Sequence, residues 1–473
     1  MAEAPRTPLA QISSLYCRQL DYKEKTRQLS VEQRISFLRS LGKQIENNHA
    51  AITKALHLDF RKNTFETDYT EIYVVQSTIK HICRNLKRWA QNRKVKNNLM
   101  YITTRSYLQY EPKGSSLIIT PWNYPFQIPL MQTISSIAAG NTVMLKLSEY
   151  VPHTNVIVEQ IIRSVFKQEH VTVINGQAEE TTHLLNLKFD HIHFTGSPKV
   201  GKIVMQAASA HLSDITLELG GKSPVFIDKD VNLRQIVRNL IWGKFVNAGQ
   251  TCIAPDYVLI DKNLKDTFEK ILPEEVIMAF GTSAEQSPDL ARIINDRQFD
   301  RLEAALKKAV QAGARILTGG ETNKTSLYIA PTVVTGMPAD STLMTEEIFG
   351  PILPVVYYDT VDEALTLVSR KEKPLALYIF SKDSHYTDTI LRNTTAGSTA
   401  VNDMLIQYMH PNLPFGGVNH SGIGQSFGQY GFKSFSHERT VVSGSKNLPL
   451  SRIFWYPYTA KTRKLFNFIK RFL

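Results

Sequence analysis

Ser115-Ser-Leu-Ile-Ile-Thr-Pro-Trp-Asn-Tyr-Pro125 is a short β-prone run followed by a loop that two prolines stiffen. Runs of the same kind recur at 142–147 (TVMLKL), 171–175 (VTVIN), 191–194 (HIHF) and 214–219 (DITLEL), with helical segments such as 155–166 and 199–211 between them. Short buried strands alternating with helices read as βαβ units and a parallel sheet. A second series follows, with strands at 224–227, 257–260, 352–358 and 375–380 and helices near 233–246 and 296–312. The two series meet at Glu218-Leu-Gly-Gly-Lys222 without linker-like composition, so two closely packed α/β domains with a cleft between them are expected. The first ~95 residues read as helices, with Ser30-Val-Glu-Gln33 as a capping box ahead of Ile35, Leu38, Leu41 and Ile45.

At 473 residues, with 42% apolar and 21% charged residues, the chain can bury large cores. Three cysteines make no disulfide framework and suit a reducing compartment, and no paired Cys/His spacing suggests zinc. The N-terminus lacks the apolar core of a signal peptide, and no apolar run approaches the ~20 residues of a membrane span. A soluble, cytoplasmic protein is expected. The net charge of +12 draws on Arg84–Lys96 and on the tail 461–473. Such clusters attract an anionic partner or simply form a solvated face, and no nucleic-acid module accompanies them. In the tail, Leu465, Phe466, Phe468, Ile469, Phe472 and Leu473 recur at helical spacing among basic residues. That pattern suits an interfacial helix, or a helix docked on the protein's own surface.

Cys252 sits in Val246-Asn-Ala-Gly-Gln-Thr-Cys-Ile-Ala-Pro255, among small and turn-forming residues, whereas Cys83 lies in an apolar run. A nucleophilic thiol needs a base or a positive neighbour, and bare backbone amides around it. Glu218 is a candidate base beside Gly220 and Gly221, or a solvated acid at a domain boundary. Asn123, in the proline-stiffened loop, is a candidate oxyanion donor or a local loop partner. The segment Phe194–Gly201 carries Gly196 and Gly201 at a strand-to-helix turn, where helix amides could meet a phosphate, but it lacks the three-glycine dinucleotide fingerprint. Lys146, near Glu149 at the end of a strand, reads as a ribose contact or as a surface lysine.

Taken together, PWNYP, LKLSE, FTGSPKVG, ELGGK, GQTCIAP and Glu346-Glu-Ile-Phe-Gly-Pro351 occur in this order, and Glu218 precedes Cys252 by 252 − 218 = 34 residues. The chain from about residue 10 to about residue 445 resembles the aldehyde dehydrogenase superfamily. GQTCIAPDY, His410-Pro-Asn-Leu-Pro-Phe-Gly-Gly417, the closing segment 431–437 and a short N-terminus resemble its class 3, or fatty aldehyde dehydrogenase, branch. The resemblance implies two Rossmann-like three-layer α/β/α domains and a small bridging β-element. These are an NAD(P)-binding domain (1–94 and 113–218), a catalytic domain (219–435), a bridging element (95–112 and 436–446) and a basic-aromatic tail (447–473).

It further implies that Cys252 attacks an aldehyde, that Asn123 and the cysteine's own N–H hold the oxyanion, and that Glu218 activates water for thioester hydrolysis. Glu347 would hold the nicotinamide ribose and Phe349 would pack on that half of the cofactor. Lys146 and Glu149 would lie near the adenosine ribose, with Gly196, Ser197, Pro198, Lys199, Val200 and Gly201 at the pyrophosphate. Pro198 departs from many relatives. The expected cofactor is NAD, with NADP as the alternative; the expected substrates are medium- or long-chain aliphatic, or aromatic, aldehydes; the expected assembly is a homodimer. Peripheral membrane contact through the tail is part of the same expectation. A CoA-acylating dehydrogenase, a cofactor-independent esterase and a non-enzymatic scaffold are the alternatives.

Overall fold

The computed structural model of the chain describes residues 6–471; residues 1–5, and Phe472 and Leu473 of the tail pattern, lie outside the described residues. Helices Leu9–Arg27, Val31–Asn47, His49–Phe60 and Tyr73–Trp89 form the N-terminal region. The expected capping box is present: Gln33 N donates to Ser30 Oγ at 3.2 Å, and Ser30 N donates to Gln33 Oε1 at 2.8 Å. Ile35, Leu38, Leu41 and Ile45 are buried along the stripe that follows it.

The first sheet runs, in spatial order, Gly422–Ile423, Asp214–Glu218, His191–Thr195, Ser115–Ile119, Thr142–Lys146 and Val171–Ile174. The last five are parallel. Their chain order reverses between Ser115–Ile119 and His191–Thr195, which creates the crevice where open α/β sheets bind ligands at strand carboxyl ends. Every residue of helix Gln127–Ala139, which follows the opening strand, is buried.

The second sheet runs Arg315–Thr318, Thr332–Thr335, Ile352–Tyr358, Tyr257–Asp261, Pro224–Ile227, Ala376–Phe380 and Ser398–Val401. Only Arg315–Thr318 is antiparallel to its neighbour. The chain passes from Glu218, at the carboxyl end of the first sheet, to Pro224, at the amino end of the second. The turn between them therefore faces both sheets.

A third, antiparallel sheet joins Arg93–Lys94, Arg105–Pro112 and Ser436–Ser443. Gly422–Ile423 pairs antiparallel with Asp214–Glu218, although it falls late in the chain, within 219–435. Glycine permits the contact, since a Cβ at Gly422 would lie 2.4 Å from Leu217 O. The tail forms a turn at Leu450–Phe454 and a helix at Ala460–Lys470. Among the described residues no helix is long and apolar enough to cross a membrane.

Candidate active site

A cavity of about 410 Å³ lies at the carboxyl ends of the first sheet and the amino ends of the second, and Asn123, Gly196, Ser197, Glu218, Cys252, Glu347 and Phe349 all line it. The loop that delivers Cys252 is unusual. Asn247, Ala248 and Gly249 have φ of 53°, 52° and 73°, so left-handed backbone turns the chain out of helix Leu233–Phe245. Such backbone is costly for Asn and Ala and persists only where the surroundings hold it. Here they do: Glu66 Oε1 accepts from Asn247 N at 3.0 Å, and Gln250 Oε1 accepts from Ile294 N at 3.0 Å. At Gly249 a side chain is excluded outright, because a Cβ would sit 2.3 Å from Gly350 O.

The cysteine loop is tied to the loop after the opening strand. Asn123 Nδ2 donates to Gln250 O at 3.0 Å, Asn247 Nδ2 donates to Asn123 O at 2.8 Å, and the Tyr124 and Thr251 hydroxyls meet at 2.7 Å. Asn123 is buried, so its side chain is fixed rather than free in a solvated loop. Its amide nitrogen carries two hydrogens, and Gln250 O takes one.

Cys252 is half-buried with a free thiol, and burial, followed by the charges of Glu347 and Glu218, pushes its pKa up to about 12. Its own backbone N–H and that of Ile253 act in the opposite direction. Glu218 is buried, which corrects the solvated-acid alternative, and its carboxyl is pushed up to about 8 by burial. Ser426 Oγ donates to Glu218 Oε1 at 2.7 Å, while Oε2 has no partner among the described residues.

Glu347 lies against Gly220: a Cβ there would come within 2.1 Å of Glu347 Oε2. Burial, then the charge of Asp256, pushes Glu347 up to about 8. Lys222 Nζ pairs with Asp256 and donates to Leu343 O and Glu346 O at 2.9 and 2.7 Å, while Asp256 Oδ1 accepts from Ile348 N at 2.9 Å. Arg301 adds a bond to Ile348 O at 2.6 Å. These bonds pin the segment that holds Phe349 at φ 48° and sets its ring edge-on to Trp122, with centroids 5.4 Å apart.

Other expected residues lie off the cavity wall. Lys146 is buried and donates to Leu147 O at 2.7 Å, so it is not a surface lysine; Glu149, half-buried, tempers the lowering of the Lys146 pKa that burial causes. Pro198, Lys199, Val200 and Gly201 form the first turn of helix Pro198–Ser209, which Ser197 caps through Val200 N at 3.4 Å. Gly201 has a packing reason of its own, because a Cβ would meet Leu219 Cδ2 at 2.7 Å. Ser426, Asn247, Asp256 and Arg301 were not read as site residues from sequence.

The family model described as the aldehyde dehydrogenase family matches residues 1–441. The 4,4'-diaponeurosporen-aldehyde dehydrogenase of Staphylococcus aureus is 40% identical over 435 residues, covering 92% of this chain and 93% of that protein. Aldehyde dehydrogenase family 3 member A2 of Pongo abelii is 39% identical over 442 residues, covering 93% and 90%. The solved substrate-bound state of Staphylococcus aureus AldH superposes with a TM-score of 0.93 at 38% identity, covering 97% of this chain and 99% of that one. A cavity that gathers a thiol, a fixed amide and two buried carboxyls, in a chain alike over almost its whole length, places this protein as an aldehyde-oxidising member of the aldehyde dehydrogenase family.

Proposed function

We propose that this chain oxidises medium- or long-chain aliphatic, or aromatic, aldehydes to carboxylic acids through an acyl-cysteine intermediate, using NAD, with NADP as the alternative. The observation that carries this reading is the convergence of Cys252, Asn123, Glu218 and Glu347 on one cavity. Cys252 Sγ bonds the carbonyl carbon as the thiol proton passes to solvent water, and the free N–H of Asn123 and the Cys252 N–H receive the oxyanion. NAD or NADP, when bound, supplies the hydride acceptor. The resulting thioester is cleaved by water whose proton passes to the Glu218 carboxylate, which releases the acid and returns the thiol.

The residues present suit a dinucleotide. Thr195 Oγ1 and Glu218 Oε2 are buried and unpartnered among the described residues at the strand carboxyl ends. Glu347 presents a carboxyl to ribose hydroxyls, Phe349 an apolar face, and Gly196 and Ser197 the turn before a helix start. On this reading Pro198, Lys199, Val200 and Gly201 shape the pyrophosphate turn, and Lys146 and Glu149 flank the adenosine ribose. A carboxylate at Glu149 disfavours a 2′-phosphate, which is the argument for NAD.

The edge position of Ser436–Ser443 in the third sheet supports dimerisation by strand pairing. No acidic residue follows Glu438 in the chain, while Trp455, Tyr456, Tyr458 and Phe468 are exposed among basic residues of the tail. That combination supports peripheral contact with an anionic membrane.

Absorbance at the nicotinamide band, with NAD or NADP and aldehydes of graded chain length, tests the reaction. Cofactor reduction is expected. Ester cleavage without reduction would replace the dehydrogenase by an esterase, and reduction strictly dependent on CoA would replace water as the acyl acceptor.

A further inference from the structure

Strand His191–Thr195 lies inside the first sheet, between Asp214–Glu218 and Ser115–Ile119. A strand flanked on both sides in a parallel sheet packs best with apolar side chains. His191 and His193 nonetheless occupy it with no exposed surface. Alternate residues share a face, and Phe435 covers both rings, edge-on to His191 with centroids 4.8 Å apart and stacked on His193 at 5.9 Å. Burial holds both imidazoles neutral, pushed down to about 4 and about 3.

The two rings differ in what they meet. His191 is engaged at both nitrogens, with Lys113 Nζ 3.3 Å from Nδ1 and Thr216 Oγ1 3.4 Å from Nε2. His193 Nε2 lies 3.3 Å from Ser426 Oγ, while Nδ1 has no partner among the described residues. The backbone of Ser426 is pinned by a reciprocal pair of bonds with Phe415, at 3.1 and 2.6 Å, so its hydroxyl is the part left to turn. A serine hydroxyl has one hydrogen, and the bond to Glu218 Oε1 uses it. Ser426 Oγ can therefore only accept from His193, which places the ring proton on Nε2. The surroundings of Nδ1 agree, since a proton there would be a buried donor facing no acceptor.

We propose that His193 is a positioning residue for thioester hydrolysis: its Nε2–H holds the Ser426 hydroxyl as a donor to Glu218 Oε1, so that the proton drawn from water goes to Glu218 Oε2. The inference rests on the proposed base role of Glu218 and adds what orients that base. The water oxygen bonds the acyl carbon, the carbon–sulfur bond breaks, and the Oε2 proton passes to the departing Cys252 thiolate. That last transfer runs from a group held near 8 to one held near 12. His193, held near 3, takes no proton and acts only through the serine. The other ionisable groups facing this chain are His191 on the same strand, flanked by Lys113 and Asp214, and Cys252 across the cavity.

The test reads acyl-enzyme hydrolysis apart from oxidation. The full-length protein is acylated at Cys252 with p-nitrophenyl acetate, and loss of the acetyl group is followed across pH by intact-protein mass spectrometry. His193→Phe keeps a flat ring against Phe435 but offers no N–H. Its hydrolysis profile is expected to move up by about half a pH unit, about threefold less ionised carboxylate at neutral pH, with acylation unchanged. His193→Gln, which restores an N–H donor, is expected to bring the profile back toward wild type. In a Ser426→Ala background His193→Phe is expected to add nothing. An unmoved profile, a further shift in that background, or equal losses in acylation and hydrolysis overturns the positioning role.

The ring tautomer gives a readout that needs no turnover. Nitrogen-15 spectra of the wild type, with the His193 signals assigned by their absence from His193→Gln, are expected to show Nε2 protonated and Nδ1 bare from about pH 6 to about pH 9. A proton on Nδ1, or a ring that titrates in this range, overturns the proposal. Failure of the ester to acylate Cys252 overturns the acyl-cysteine reaction instead, a result distinct from that of the His193 variants, which acylate normally.

Discussion

Ser426 and Glu218 are 208 residues apart in sequence, yet the serine hydroxyl donates to one carboxylate oxygen at 2.7 Å while the other oxygen is unpartnered among the described residues. Burial raises Glu218 to about 8, and the serine bond opposes that rise. At neutral pH most of the carboxyl is protonated, and only the ionised form accepts a proton from water. Acyl-enzyme hydrolysis is therefore expected to accelerate as pH rises through about 8. Glu218→Gln is expected to give a burst of reduced cofactor followed by a slow steady state; a normal steady-state rate removes Glu218 from the base role. Ser426→Ala removes a bond that favours the charged form, so the pH profile is expected to move to higher pH. The same shift links to stability: the contribution is full below about 4.5 and is lost as pH rises through about 8.

Cys252, held near 12 before any ligand binds, is a poor thiolate at neutral pH. Alkylation of this residue, read by peptide mass spectrometry to separate it from Cys17 and Cys83, is expected to keep rising past pH 9 without a plateau. A plateau near pH 7 would show a thiolate activated in the free protein. Cys252→Ala is expected to abolish aldehyde oxidation, and surviving turnover would overturn the nucleophile assignment.

Asn123→Ala removes the amide tied to Gln250 O. Loss of one oxyanion donor costs about 2.7–4 kcal/mol of barrier, a fall of about 10²–10³ in kcat. Asn123→Asp keeps the size but replaces the donor, and is expected to be no better. If both variants retain wild-type kcat, Asn123 acts only in holding the loop.

The sheets and the cysteine loop were legible because each strand is a local apolar run bounded by Pro, Gly or polar residues, and the site motifs stand at strand ends. Ser398–Val401 was not legible, because Ser-Thr-Ala-Val has too little apolar character to mark a strand. Thr332–Thr335 is too short for its period to be read, and the two-residue strand Gly422–Ile423 exists only through pairing with Asp214–Glu218. Ser426 was invisible for the same reason, since nothing near it in sequence refers to Glu218. The left-handed φ of Phe349 went unread because bulky side chains rarely adopt it, and only the bonds around Ile348 make it tolerable.

Lys222 and Asp256 form a buried ion pair beneath the Glu346–Phe349 segment. Removing one partner strands the other's charge, at a cost of about 3–5 kcal/mol. Lys222→Met is therefore expected to lower the denaturant midpoint and, because Glu346 O loses its donor, to raise KM for the cofactor. The double variant Lys222→Met with Asp256→Leu is expected to recover much of the stability, because no orphaned charge remains, but not the cofactor KM. Recovery of both would reduce the pair to a purely structural role.

The tail helix Ala460–Lys470 exposes Leu465, Phe466 and Phe468 beside Lys461, Arg463 and Lys464. Each basic residue near an anionic bilayer contributes about 1 kcal/mol, and that attraction falls within a Debye length. Removing residues 461–473 is expected to weaken pelleting with phosphatidylserine-containing vesicles at low salt, and to leave the weak binding to neutral vesicles largely as it was. Raising the salt is expected to weaken the full-length protein's binding while the truncated protein changes little. A tail docked on the protein's own surface gives a different result: pelleting is unchanged by truncation, and thermal stability falls because the hollow lined by Met100, Ile102, Leu465 and Ile469 loses one wall.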